Sequence, residues 1–315
     1  MPASSQPSPV VTLTVNPAVD VSAFVERIEP ERKLRCSVVR REAGGGGINV
    51  ARALANLGRA TLAIAALGGR NGESIEQMLA DERVPLVPVR ITGETRENFH
   101  ITERATGLQF RFCLPGPALE ESDGSAVLAA LDGLPEWPSI LVASGSLAPG
   151  LSPGFYAELA RRAAARGARF ALDASGEPLR LALARGVWLA KPSRRELEEL
   201  LGQSLGGADS VLLEARRLAA EGRASIVVVS MGDAGAAWAT AEGGGIVPAP
   251  TVRVASSVGA GDSLLAGLVL RLEEGAHGRD AVRFGVAAGA AATLRPGTAL
   301  CARPDVERLL ATMRA

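Results

Sequence analysis

The sequence predicts an α/β layered domain built on a parallel sheet. Short runs rich in Val, Ile and Leu recur with little polar alternation, the pattern of strands covered on both faces. Helical stretches separate them, as right-handed crossovers between parallel strands require. The 315 residues, 47% hydrophobic and 22% charged, suffice for one large core or two sub-domains and rule out disorder as the main state.

Taken in order, residues 10–15 read as the first buried strand. Residues 19–25 and 34–42 alternate apolar and polar side chains, as strands with one wet face do. Four glycines, Gly44 to Gly47, lead into a helix over 48–57 and a buried strand over 61–67; a further helix and a strand near 86–91 follow. Residues 98–103 and 108–114 alternate again across the turn-like Arg104-Ala-Thr-Gly107, so the two alternating pairs predict a small antiparallel sheet standing off the main one. Buried strands at 140–143, 169–173, 187–190 and 225–230 are interleaved with helices at 154–165, 194–201 and 211–220. From about Leu264 the pattern is helix after helix, and no solenoid-length repeat is visible.

Composition excludes several functions. Net charge is zero and only 3% of residues are aromatic, so the chain offers no field or stacking platform for nucleic acid. Cys36, Cys113 and Cys301 lie far apart, with only His100 and His277 to join them, which argues against a disulfide framework or zinc site and fits a reducing cytoplasm. The first nine residues have neither the basic nor the apolar region of a signal peptide and read as a flexible tail. No late stretch is long and apolar enough to span a bilayer. Ala66-Leu-Gly-Gly-Arg-Asn-Gly72 lacks the dinucleotide-binding spacing, and no P-loop occurs.

The segment Ser256-Ser-Val-Gly-Ala-Gly-Asp-Ser263 carries the strongest chemical signal. Its small residues allow close backbone approach, and the apolar helix that follows points free N–H groups and a partial positive charge at its mouth, which makes an anion site. Asp262 in that pocket has two readings, a helix cap or a general base. The helix field predicts an ionised, weakly basic carboxylate, and phosphoryl transfer through a loose transition state asks for positioning more than basicity. Gly44-Gly-Gly-Gly-Ile-Asn49 reads as a hinge or as backbone lying against a ligand, with Asn49 as a polar contact in the first helical turn.

Only Lys33 and Lys191 are lysines among the 34 basic residues. A compact ammonium suits a phosphate approached as a point charge, and Lys191 ends a predicted strand, where open α/β sheets place ligand contacts. Arg96 is a two-pronged phosphate contact or a solvated charge; Asp20 binds sugar hydroxyls or shapes its turn. Glu196, in Ser193-Arg-Arg-Glu196, reaches Mg2+ through water or closes a capping box, and the box is the better reading of the residues alone. His100 and His277 have no partner motif.

These residues together resemble the ribokinase-like (PfkB) family of sugar kinases over nearly the whole chain, from Thr12-Leu-Thr-Val-Asn-Pro-Ala-Val-Asp20 through Gly44–Asn49 to Ser257-Val-Gly-Ala-Gly-Asp262. Within the family the chain looks most like bacterial minor-type 6-phosphofructokinases. Lys33-Leu-Arg-Cys36, the all-glycine Gly44 to Gly47, Thr95-Arg-Glu-Asn98 and Ser144-Gly-Ser-Leu147 carry that likeness.

The resemblance implies a three-layer α/β/α domain over residues 10–315 with a small β-sheet lid, its strands inserted at about 18–42 and 96–114, that also clasps a homodimer. It implies Asp262 as catalytic base, Gly259, Ala260 and Gly261 as the anion hole, and Lys33 and Arg35 as lid residues reaching between sugar phosphate and nucleotide. Asp20, Gly45, Gly46, Asn49, Arg96, Ser144 and Ser146 fall on the sugar-phosphate side. Lys191, Ser193, Ser230, Gly232, Gly235, Ser256 and Val258 fall on the nucleotide side, with Glu196 in the Mg2+ water shell. The implied reaction is ATP- and Mg2+-dependent phosphorylation of fructose 6-phosphate at its 1-hydroxyl. The rivals are a tagatose-6-phosphate kinase, a 1-phosphofructokinase and a non-catalytic sugar-phosphate sensor.

Two departures stand out. Ser193 replaces the Asn of the usual Asn-x-x-Glu, and Arg295 stands where related phosphofructokinases often carry Asn, which leaves K+ open.

Overall fold

The computed structural model describes residues 10–313, and the expected tail over residues 1–9 lies outside them. Nine strands make the main sheet: β1 (Val10–Thr14), β4 (Thr61–Leu67), β5 (Leu86–Arg90), β8 (Ile140–Ser144), β9 (Arg169–Asp173), β10 (Val187–Ala190), β11 (Ala224–Ser230), β12 (Ala236–Ala239) and β13 (Gly244–Val247). Their order is β13-β12-β11-β10-β9-β8-β1-β4-β5. From β5 to β11 every pairing is parallel, as the unalternating apolar runs predict; β12 and β13 add an antiparallel edge. That edge is absent from the sequence reading, because Ala236-Ala-Trp-Ala239 and Gly244-Gly-Ile-Val247 are poor in the β-branched residues that mark a strand.

Ten helices cover the sheet among the described residues: α1 (Gly46–Asn56), α2 (Gly69–Asp81), α3 (Glu121–Asp132), α4 (Phe155–Ala165), α5 (Gly176–Arg185), α6 (Arg194–Leu201), α7 (Ala208–Ala220), α8 (Ala260–Glu273), α9 (Gly278–Ala292) and α10 (Arg303–Thr312). On one face α3 to α7 pack Leu131, Tyr156, Leu159, Leu179 and Val211 against Val11, Leu13 and Leu141. On the other, α1 and α8 to α10 pack Leu54, Leu265, Val269 and Ala288 against Val10, Ile140 and Val142. Alternate residues of one strand thus feed opposite layers. This is the α/β/α sandwich.

The smaller sheet comprises β2 (Ala18–Val25), β3 (Ser37–Gly44), β6 (Arg96–Glu103) and β7 (Gln109–Cys113), in the order β3-β2-β6-β7. It is mixed rather than antiparallel: β2–β3 and β6–β7 are antiparallel, but β2 and β6 run parallel, from Ala18↔Arg96 to Val25↔Glu103. Alternation specifies which face is wet and says nothing about pairing direction, so this feature lay beyond the pattern. Val19, Val21 and Ala43 of this sheet join Ile75 and Leu79 of α2 and Leu67 of β4 in a third apolar cluster that seats its root on the body.

The strand order places β1 between β4 and β8, with the chain continuing outward on both sides. Such a reversal opens a crevice at the carboxyl ends of the flanking strands. The small sheet rises beside it.

Candidate active site

The carboxyl ends of β1, β8, β9 and β10 deliver Asn16, Ser144, Asp173 and Lys191 to that crevice. Helix α8 points its N-terminus at them. Its cap, Gly259, is left-handed at φ 74°, and Asp262 falls in the first turn. Asp262 does not cap the helix. Its carboxylate accepts from Asn49 Nδ2 at 3.0 Å and from Ser144 Oγ at 3.3 Å.

The same Ser144 hydroxyl lies 3.4 Å from Asp173 Oδ2, and Lys191 Nζ, 4% exposed, pairs with that oxygen at 3.0 Å. Two carboxylates, one hydroxyl and one ammonium therefore share a buried cluster. Burial pushes Asp262 above the ordinary aspartate value, against the hydrogen bonds from Asn49 and Ser144 and the charge of Lys191. The weak base expected from the helix field is thereby corrected in direction. Burial likewise pushes Asp173 up to about 7, Lys191 pulling it back while Asp262 and Glu196 push it further.

The glycine run positions the other wall. Gly45 has φ 106°, and a Cβ there would stand 2.9 Å from Pro17 Cα. At Gly46 a Cβ would stand 2.3 Å from Ser144 Oγ, and at Gly44 2.3 Å from Asp20 Oδ2. Glycine is what lets α1 start against the Asp262 and Asp20 groups. Asp20, 4% exposed, accepts from Asn98 Nδ2 at 2.9 Å and lies 3.6 Å from His100 Nε2.

Arg96 is not a solvated charge. Its guanidinium donates to Asn16 O at 3.0 Å and Leu114 O at 3.1 Å, tying the end of β1 to the end of β7, and burial holds its pKa below that of a free arginine. Asn16 Nδ2 in turn donates to Ser146 Oγ at 3.1 Å. Thr14 Oγ1, Asn16 Oδ1, Asn49 Oδ1, Arg96 Nε and Asn98 Oδ1 are buried without a protein partner. Buried polar atoms are normally satisfied, so these are atoms a polyhydroxylated, anionic ligand would engage.

Across α8 lies a cleft of 600 Å3 lined by Ser230, Gly232, Gly235, Ser257, Ala260 and Gly261, with Val252, Leu264, Val286 and Ala290 supplying an apolar wall. Ser256 and Val258 are placed differently from their neighbours. Ser256 is 1% exposed, its Oγ accepting from Val258 N at 3.2 Å, while Ser257 faces the cleft. Lys33 and Arg35 sit in the exposed connection between β2 and β3, with no described contact to the Asp262 cluster. Arg295 is exposed and pairs with Asp305 at 3.2 Å, outside the cleft lining.

Ser193 and Glu196 form the capping box: Ser193 N donates to Glu196 Oε2 at 2.7 Å and Glu196 N to Ser193 Oγ at 3.3 Å. No group of three metal-ligating side chains exists among the described residues. The donor set suits Mg2+ held chiefly by phosphate and water, since that ion keeps its waters and takes one or two carboxylates; Asp173, Glu196 and Asp262 are the carboxylates that act on Lys191 there.

Residues 230–235 and 260–261 thus meet on the cleft side and residues 16, 20, 44–49, 96 and 144–146 on the other, with Asp262 hydrogen-bonded to Asn49 and Ser144 of the latter. Sequence reasoning left Asn16, Asn98, Asp173 and the wall at 249–254 and 286–293 unassigned. An acid at the end of a buried strand was a usable signal for Asp173; the wall is mostly small apolar residues with Thr251 and Thr293 and carries no motif.

A pfkB family carbohydrate kinase model matches residues 8–305. ATP-dependent 6-phosphofructokinase isozyme 2 of Escherichia coli K12 is 42% identical over 303 residues, covering 96% of this chain and 98% of that protein. A 1-phosphofructokinase of Xanthomonas campestris is 36% identical over 266 residues, covering 83% of each. The crystal structure of phosphofructokinase-2 from Escherichia coli in complex with fructose-6-phosphate superposes at a TM-score of 0.91, with 41% identity, 97% of this chain and 99% of that one covered. The same protein has been solved with potassium and as a tetrameric inhibited form, at TM-scores of 0.92 and 0.90.

Proposed function

The chain belongs to the pfkB family of carbohydrate kinases, and we propose that it transfers the γ-phosphoryl group of ATP to the 1-hydroxyl of fructose 6-phosphate. One observation carries the reading: Asp262, hydrogen-bonded to Asn49 and Ser144 of the sugar-side wall, directly follows Ala260 and Gly261, which line the 600 Å3 cleft, in the first turn of α8. A hydroxyl placed beside Asp262 hands its proton to a carboxylate that burial has made more basic, while the amides of Ala260 and Gly261 face the developing phosphoryl charge. Asn49 and Ser144 hold that carboxylate in place. Lys191 supplies a desolvated positive charge beside it, and Arg96 with Asn16 and Ser146 forms the far end of the sugar side, where a 6-phosphate fits.

When bound with the triphosphate, Mg2+ neutralises charge on the transferring group. Glu196 and Asp173 are the residues that would hold its water shell. Arg295 pairs with Asp305 and is not among the residues that line the cleft, which is compatible with a monovalent cation such as K+ there. We assign Lys33 and Arg35 to the closed lid, reaching inward only once both substrates are present.

The partner assigned to the lid is a second copy of the chain. Val39 on β3 and Phe112 on β7, the two edge strands of the small sheet, are 62% and 50% exposed, and Leu34, Leu108 and Leu114 of the lid are exposed as well, which supports that assignment.

Steady-state kinetics with ATP and Mg2+ across phosphorylated ketoses test the activity. The expected kcat/KM is highest for fructose 6-phosphate, by tenfold or more, about 1.4 kcal/mol of transition-state discrimination. A preference for fructose 1-phosphate or tagatose 6-phosphate reassigns the substrate, and binding without ADP release makes the chain a sensor.

A further inference from the structure

We infer that Gln109 and Arg111, on β7, are positioning residues that couple occupancy of the sugar side to the shape of the nucleotide side. Neither touches the Asp262 cluster. Both reach from the lid to the loop that leads into α8: Gln109 Nε2 donates to Ser256 Oγ at 3.2 Å, Ser257 N donates to Gln109 Oε1 at 3.5 Å, and Arg111 Nη2 donates to Ser257 Oγ at 2.5 Å. The Ser256 hydroxyl also accepts from Val258 N, immediately before the left-handed Gly259 that starts the helix. Ser257 itself lines the 600 Å3 cleft. Two lid side chains thus fix the backbone and one side chain of the segment that precedes the anion turn.

The other end of the linkage is the ladder between β6 and β7. Asn98 pairs with Cys113, His100 with Arg111 and Thr102 with Gln109, so the sugar-side residues and the two latch residues belong to one hydrogen-bonded ribbon. Asp20, on β2, is held to that ribbon by Asn98. Between lid and body the same ribbon leaves a 140 Å3 cavity of mixed lining, with Ser22, His100, Thr102 and Gln109 beside Phe24 and Pro296, and nearby Glu42 on β3 accepts from Thr298 N. Beyond the apolar root at Val19, Val21 and Ala43, the lid thus meets residues 256–257 and 298 of the body through a few discrete polar contacts. A ligand that settles β6 settles Gln109 and Arg111 with it, and by linkage a nucleotide that orders residues 256–258 tightens the sugar side by the same factor.

The inference rests on the kinase reading, and the test separates the two. A non-hydrolysable ATP analogue with Mg2+ is titrated calorimetrically into the chain alone and with saturating fructose 6-phosphate; the ratio of the two affinities is the coupling. In the unaltered chain the expected ratio is at least about fivefold. In the Gln109→Ala, Arg111→Ala double variant it falls to within about twofold of unity, while fructose 6-phosphate alone binds nearly as before. Ser257→Ala, which removes the acceptor of Arg111 from the body side, lowers the ratio independently should the double variant fold poorly. An undiminished ratio in either folded variant overturns the inference. An unaltered chain that binds both ligands with a ratio of one overturns it and leaves the kinase reading standing; a chain that binds neither removes both.

Discussion

Asp262 is held between opposing influences: the end of α8 and the ammonium of Lys191 favour its charge, while burial disfavours it, and burial prevails. A base whose pKa is raised loses activity as pH falls through the raised value, so the acid limb of kcat/KM is expected above pH 3.8, the ordinary aspartate value. A pH–rate profile with its acid limb at or below that value contradicts the assignment. Lys191 depends on the same cluster. Lys191→Met leaves Asp173 buried without its partner, an expected loss of about 3–5 kcal/mol in stability together with a kcat reduced by about a hundredfold or more; urea unfolding and single-turnover rates measure the two separately. At this scale the identity of the residues was legible, because a carboxylate after Gly-Ala-Gly and a lysine at a strand end are chemically marked. The direction of the Asp262 shift was not, since it depends on burial by segments far away in sequence.

The elements explain why glycine recurs where the chemistry is. Gly45, at φ 106° and against Pro17, turns β3 into α1 so that Asn49 arrives at Asp262 across 213 positions of sequence. Gly45→Ala is expected to cost about 1–3 kcal/mol in backbone strain and to raise the KM for the sugar phosphate more than that for ATP. A denaturation midpoint and both KM values equal to those of the unaltered chain would show that the turn imposes no such demand. The buried strands and the alternating lid strands were readable from periodicity, since burial on two faces or one writes itself into successive residues. Parallel pairing of β2 with β6 follows from three-dimensional closure that periodicity does not encode, whereas the capping box that absorbs one oxygen of Glu196 was legible in the Ser-x-x-Glu spacing of Ser193 and Glu196.

For the whole molecule, association and catalysis as proposed fall on two faces of one sheet, with Phe112 exposed on one and Asp20 buried on the other. Phe112→Asp is expected to shift the chain from dimer to monomer in sedimentation velocity and to weaken sugar-phosphate binding, because the sheet that carries Asp20 and Arg96 loses its outer support. A Phe112→Asp chain that remains dimeric places the interface elsewhere. The convergence of β1, β8, β9 and β10 at the strand-order reversal assembles the site from positions 16 to 262, which is why Asn16 and Asp173 join it without any local motif. The claim on which the account turns is that Asp262 deprotonates the acceptor. The direct measurement is a single-turnover reaction of Asp262→Asn with ATP, Mg2+ and fructose 6-phosphate, alongside calorimetric binding of each ligand to the same variant. Phosphoryl transfer slowed by at least about a hundredfold with both affinities preserved is the predicted result; transfer at the rate of the unaltered chain contradicts it.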